Sequence, residues 1–136
     1  MKIFLKIIKA LELPKGKFAI FGSGPMAVRK LREGRDVDLI VTEDILDEYK
    51  EKPGWQYRKF TRDKREIEAV ERDAIEMYKD WGPGKWNIKR LINESEIIDG
   101  LPFVRLEEVL RWKKISAREK DLNDIKLIEE FLKKYE

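Results

Sequence analysis

Two short stretches of this chain carry residue types suited to phosphate and metal chemistry. The first is Gly22-Ser23-Gly24, which follows the apolar run at 17–21. A glycine-rich turn between a strand and a helix lets the backbone approach an anion closely, and the free N–H groups of a helix N-terminus add partial positive charge. Ser23 adds a hydroxyl donor. Strand–glycine–helix joints are also common for purely structural reasons. The second stretch is Asp36-Val37-Asp38, at the head of a β-branched run through Thr42. Residues two apart on a strand share a face, so the carboxylates project together while Val37 and Leu39 turn to the core. Such a pair repels itself and suits a strand badly, a penalty that a bound cation removes. Hard oxygen ligands of this kind suit Mg²⁺, with water and substrate phosphate completing the octahedron. The alternative is a solvent-facing strand that holds its aspartates by chance.

Composition narrows the remaining chemistry. The 136 residues include no cysteine and no histidine. Thiolate nucleophiles, imidazole or thiolate zinc sites and histidine bases are therefore excluded, which leaves carboxylates, hydroxyls, lysine, arginine and oxygen-bound metals. Without cysteine there is no disulfide framework and no support for secretion. Lysine plus arginine exceed aspartate plus glutamate by 30 to 27, too little to argue for a nucleic-acid or membrane surface. The first residues are apolar but broken by Lys2, Lys6 and Lys9, which reads as an amphipathic helix rather than a signal peptide or membrane span. A cytoplasmic protein is expected. The Lys- and Glu-rich composition with the single glutamine Gln56 points to a thermophile.

The length suits one domain spanning 1–136. Apolar spacing predicts a helix over 2–12, then a strand over 17–21 that the glycine turn stops. A helix over 25–33 follows, with Pro25 in its first turn and Gly34 as its C-terminal cap. A strand over 36–42 leads to a helix capped by Thr42 or Asp44 and running to about residue 51. Residues 55–60, 66–70 and 74–79 read as strands. A turn at 81–84, a short helix over 85–93 and a short strand over 101–104 precede two closing helices at 106–117 and 122–135. This is a mixed α/β, or α+β, unit.

Gly-Ser at 22–23, twelve intervening residues with a helix, and Asp36-x-Asp38 on the next strand resemble the signature of the DNA polymerase beta-like nucleotidyltransferase superfamily. The runs 21–29 and 35–41 are similar to its minimal prokaryotic members, and the resemblance continues through 101–114 and 118–125. It implies a mixed twisted sheet with helices mainly on one face. It also implies two Mg²⁺ or Mn²⁺ ions on three carboxylates, and an NTP as substrate. Asp36 and Asp38 supply two of these. The third is assigned to Glu76, because Ile75 and Met77 alternate onto one face and leave Glu76 with Tyr78 on the other. Aspartate is more usual there, and Glu68 is the runner-up. Glu76 then also accepts the acceptor's proton, while Gly22, Ser23 and Gly24 hold the β/γ-phosphates.

Four cations are candidates for the nucleotide: Arg29 after the turn, Arg35 before the carboxylate pair, Lys113 at the edge of the stripe Leu106, Val109, Leu110, and Lys120. The resemblance places a lysine at 113 and a Lys-Asp step at 120–121. Each has a plain alternative as a surface or snorkelling charge. Asp121 and Asp124 are read as structural, capping the last helix and complementing its dipole. Trp81, Trp86 and Tyr78 could stack on a base, but tryptophan in a domain of this size is more often core or interface. The leading expectation is transfer of a nucleotidyl group from an NTP to an unidentified acceptor. The alternative is a non-catalytic nucleotidyltransferase-like interaction protein, such as one half of a toxin–antitoxin pair, with a protein partner chain. A nucleic-acid module ranks last, because lysines and glutamates interleave.

Overall fold

β-Branched and aromatic runs without alternating polar residues form strands covered on both faces, and the two central strands here are of that kind. The computed structural model describes residues 2–34 and 36–135. Its elements are α1 (Lys2–Ala10), β1 (Phe18–Phe21), α2 (Gly24–Ala27), β2 (Val37–Val41), α3 (Glu43–Lys50), β3 (Gln56–Arg62), β4 (Arg65–Arg72), β5 (Ile75–Tyr78), α4 (Ile88–Asn93), β6 (Glu96–Ile98), β7 (Leu101–Phe103), α5 (Leu106–Ser116) and α6 (Glu119–Lys134). The seven strands make one mixed sheet in the order β3-β4-β5-β2-β1-β7-β6. β1 runs antiparallel to β2 and parallel to β7, and β2 runs parallel to β5.

Both faces of the sheet are covered. Leu5 and Ile8 of α1 and Ile45, Leu46 and Tyr49 of α3 pack on Ile20, Val37, Leu39, Val41 and Met77. Met26 of α2, Leu91 and Ile92 of α4, Val109 and Trp112 of α5 and Ile128 of α6 pack on Ala19, Phe21, Ile40 and Ala69. Helices therefore lie mainly on one face by number, but the other face is not bare, because β1 and β2 present apolar side chains to both sides. Trp81, Trp86 and Trp112 surround Phe21, with ring centroids 4.5, 5.6 and 5.6 Å away. The tryptophans are core, as expected from their size. This cluster fixes the end of β1 immediately before Gly22.

Three departures from the sequence reading have local causes. The helix after the turn stops at Ala27 rather than 33. Lys30 takes a left-handed conformation (φ +60°), and the Leu31 N–H closes on the Met26 carbonyl at 3.0 Å, a Schellman-type stop. Gly34 is thus no cap; a Cβ there would lie 3.2 Å from Ala27 Cβ and 3.3 Å from Ser23 Oγ, so the glycine lets the chain pass tightly against the turn. A strand absent from the sequence reading, β6, pairs with β7 through an Asp99-Gly100 hairpin with both residues at positive φ. The last helix starts at Glu119, three residues before the expected 122. Asp121 sits inside its first turn and accepts the Arg118 backbone N–H at 3.1 Å. Among the described residues no helix is long and apolar enough to cross a membrane.

Glu68, the runner-up third carboxylate, is excluded from the Asp38 side by register. Ala69 pairs with Tyr78 and Glu71 with Glu76, so Glu68 faces the opposite side of the sheet. There Lys50 and Lys79 contact it at 2.8 and 2.7 Å and Tyr57 donates to it. The Lys50, Lys79 and Tyr57 hydrogen bonds hold its carboxyl down at about 2. A depressed carboxyl stabilises the fold above its ordinary range, and that stability is lost as pH falls toward 2. Glu68→Gln is expected to cost about 1 kcal/mol at pH 7, after allowance for solvent screening. The loss should shrink to nothing near pH 2, as followed by urea unfolding across the acid range.

Candidate functional site

The site forms where β1 ends and β2 begins. Phe21 pairs with Asp38, so the Gly22-Ser23 turn is carried directly over that carboxylate. Gly22 has φ +62°, and a Cβ on it would overlap Asp38 Oδ2. Only glycine allows this approach. Asp38 pairs in turn with Glu76 across the parallel β2–β5 contact, and Glu76 pairs with Glu71 of β4. One row across three strands therefore carries three carboxylates, with Asp36 just before it. Val37 and Leu39, at 1% and 0% exposure, turn the other way.

Asp36 and Asp38 share a cleft of about 770 Å³ with Ser23. Its other wall comes from the α5–α6 hairpin, through Lys113, Arg118, Lys120 and Asn123. Asp36 and Asp38 thus face the cations of that wall, where Asp121 and Asp124 also lie. Asp38 is pushed up to about 7, first by burial and then by the charges of Glu76 and Asp36. Glu76, its in-register neighbour on β5, adds to that rise through its charge and a hydrogen bond to the Asp38 side chain. Glu76 does not itself line the cleft; it stands at the margin, held by the Tyr78 hydroxyl and by Arg58 at 3.4 Å. Among the described residues no three carboxylates converge as a preformed metal centre.

The candidate cations divide. Lys120 is exposed and lines the cleft. Lys113 reaches the same cleft but is 4% exposed, 2.9 Å from Asp124 and 3.5 Å from Asp121. It is the centre of a charge chain, because Arg32 contacts Asp124 at 2.6 Å and Arg118 contacts Asp121 at 3.0 Å. Asp121 and Asp124 pair with a buried lysine; Asp121 stands at the third position of the helix rather than at the cap expected of it, and both also line the cleft. Arg29 lies outside the cleft: it donates to the Pro25 carbonyl at 2.7 Å and pairs with Glu96 at 3.3 Å, tying α2 to β6. Arg35 lies outside the described residues. Gly24 begins α2 behind Ser23 and is buried. Sequence reasoning missed Arg32 and Arg118 as cleft residues. Arg118 stands two before Lys120 and was within reach of the pattern; Arg32 gave no signal.

Two outcomes follow from these charges. Removing Asp124 leaves Lys113 buried with only the longer Asp121 contact, so Asp124→Ala is expected to cost about 3 kcal/mol in denaturant unfolding. A raised Asp38 carboxyl favours the fold while protonated, and its ionisation costs stability as pH climbs from its ordinary value of 3.8 through about 7. Asp38→Asn is therefore expected to stabilise the metal-free protein at pH 8 by about 1–3 kcal/mol in denaturant unfolding, and to change its stability little at pH 4.

No protein-family model, curated protein or solved structure matches this chain.

Proposed function

We propose that the chain is a metal-dependent nucleotidyltransferase, moving a nucleotidyl group from an NTP to a hydroxyl acceptor. The observation that carries this reading is one cleft lined by Ser23, Asp36 and Asp38 and faced by Lys113, Arg118 and Lys120. The donor set is all oxygen, as Mg²⁺ or Mn²⁺ requires, and a divalent ion would offset the burial and neighbouring carboxylate charges that push Asp38 up. Asp36, Asp38 and Glu76 would hold such ions, which when bound neutralise the triphosphate and lower the pKa of the acceptor hydroxyl.

The chain's own groups have separable tasks. The Ser23 hydroxyl, which lines the cleft, binds phosphate oxygens, with the backbone N–H groups at 22–24 beside it. Lys120 and Arg118 counter the charge of the departing pyrophosphate from across the cleft. Lys113 keeps the α5–α6 wall in place through Asp121 and Asp124. In the transfer, the acceptor oxygen bonds to the α-phosphorus as the bond to the bridging pyrophosphate oxygen breaks. The hydroxyl proton passes to Glu76, and pyrophosphate leaves toward the α5–α6 side. Most of the rate gain comes from positioning and charge compensation.

A second reading, a nucleotidyltransferase-like interaction protein, is favoured by the restraint of Glu76 by Arg58 and Tyr78 away from the cleft. Calorimetry with a panel of NTPs and Mg²⁺ separates the two. Binding should be lost in Asp36→Ala/Asp38→Ala and weakened about tenfold in Ser23→Ala, the scale of one charge-assisted hydrogen bond. Equal binding by the double variant would reject the transferase reading, and co-purification with a protein partner would then favour the second.

A further inference from the structure

The acceptor is constrained by what surrounds Glu76 on the side away from Ser23. β3 alternates Gln56, Arg58, Phe60 and Arg62 onto the face it shares with Glu71 and Glu76. The Arg58 guanidinium lies 3.4 Å from Glu71, 3.4 Å from Glu76 and 3.4 Å from the Tyr78 hydroxyl. The guanidinium carbons of Arg58 and Arg62 stand 4.8 and 5.3 Å from the Phe60 ring centroid. Arg62 makes no ion pair with a described carboxylate, whereas Arg58 makes two. Neither arginine lines the cleft that holds Ser23.

In phosphoryl-type transfer the attacking and leaving oxygens lie on opposite sides of phosphorus. With the triphosphate on the Ser23 side, the acceptor must arrive from the Glu76 side, over β3 and β4. The first groups it meets there are two guanidinium forks laid on an aromatic ring. Stacking restricts such a fork and suits it to paired contacts with phosphate oxygens. Phe60 is half-buried and has both guanidiniums against it, so it offers no open face to a base. The feature recognised is charge.

We propose that Arg58 and Arg62, laid against Phe60 on β3, anchor the acceptor, and that the acceptor is a hydroxyl compound bearing a phosphate. This rests on the nucleotidyl-transfer reading above. The phosphate belongs either to a small phosphorylated sugar or to the end of an oligonucleotide, and the two are separable by titration.

The test titrates ribose 5-phosphate, a six-nucleotide oligoribonucleotide, plain ribose and ATP into the full chain with Ca²⁺, which supports binding without turnover. Wild type is compared with Arg58→Gln/Arg62→Gln and with Arg58→Lys/Arg62→Lys, each checked for an unchanged unfolding midpoint. At least one phosphate-bearing probe should bind wild type about tenfold tighter than the glutamine variant, the scale of one charge-assisted contact. The lysine variant should fall between them, and ATP affinity should stay within about twofold in all three, since the arginines lie outside the cleft. Preference for the sugar phosphate or for the oligonucleotide identifies the source. The proposal is overturned if neither phosphate probe binds wild type, if plain ribose binds as well as its phosphate, or if the arginine variants lose ATP and probe equally. Failure of ATP to bind wild type while the probe remains arginine-dependent would count against nucleotidyl transfer and leave the anchor standing.

Discussion

Two carboxylates in register on neighbouring parallel strands, Asp38 of β2 and Glu76 of β5, set the electrostatic problem that this end of the molecule answers. Burial and mutual repulsion keep Asp38 protonated well above its ordinary range. The sheet cannot move either group, because Val37, Leu39, Ile75 and Met77 are locked into the opposite core at no more than 2% exposure. Arg58 gives partial relief on the β3 side, and the cleft with Ser23 opens on the other. The functional reading proposes that divalent cations offset this charge.

The scaffold keeps this charge in place by separate means on its two sides. On one, the aromatic cluster around Phe21 sets where β1 ends, and Gly22 brings the turn onto Asp38 at a distance no side chain would permit. On the other, the chain Arg32–Asp124–Lys113–Asp121–Arg118 joins the loop before β2 to the α5–α6 hairpin. Its centre is buried, so each charge depends on its neighbours, and truncating one costs more than the pair contributes. The cleft is therefore a gap between two rigidly referenced walls.

Much of this was legible in the residues. The glycine turn is a local signal, and period-two alternation, which survives folding, sends Asp36 and Asp38 to one cleft and Glu76 into the row of Asp38; the part of Glu76 in holding metal stays a proposal. Lys113 was readable as the edge of a helical stripe. What was not legible depends on pairing at long range. That Glu71 and Arg58 flank Glu76 is a consequence of β3–β4–β5 register, which no local pattern states. The Lys113–Asp124–Arg32 chain joins residues 92 apart in sequence at its Arg32 end. The early stop of α2 was missed because Lys30, not a glycine, takes the left-handed position. β6 was missed although Asp99-Gly100 is a recognised hairpin signal, since three residues are too few to show alternation. The resemblance to polymerase beta-like nucleotidyltransferases rests on the motif spacing and remains a proposal about this chain.

The most direct measurement is anomalous diffraction at the manganese edge from crystals soaked with Mn²⁺ and a non-hydrolysable NTP. The account predicts manganese peaks bridging Asp36, Asp38 and Glu76 to the triphosphate, with phosphate oxygens on the 22–24 backbone. Manganese or nucleotide bound elsewhere, with no anomalous peak at Asp36 and Asp38, would contradict it.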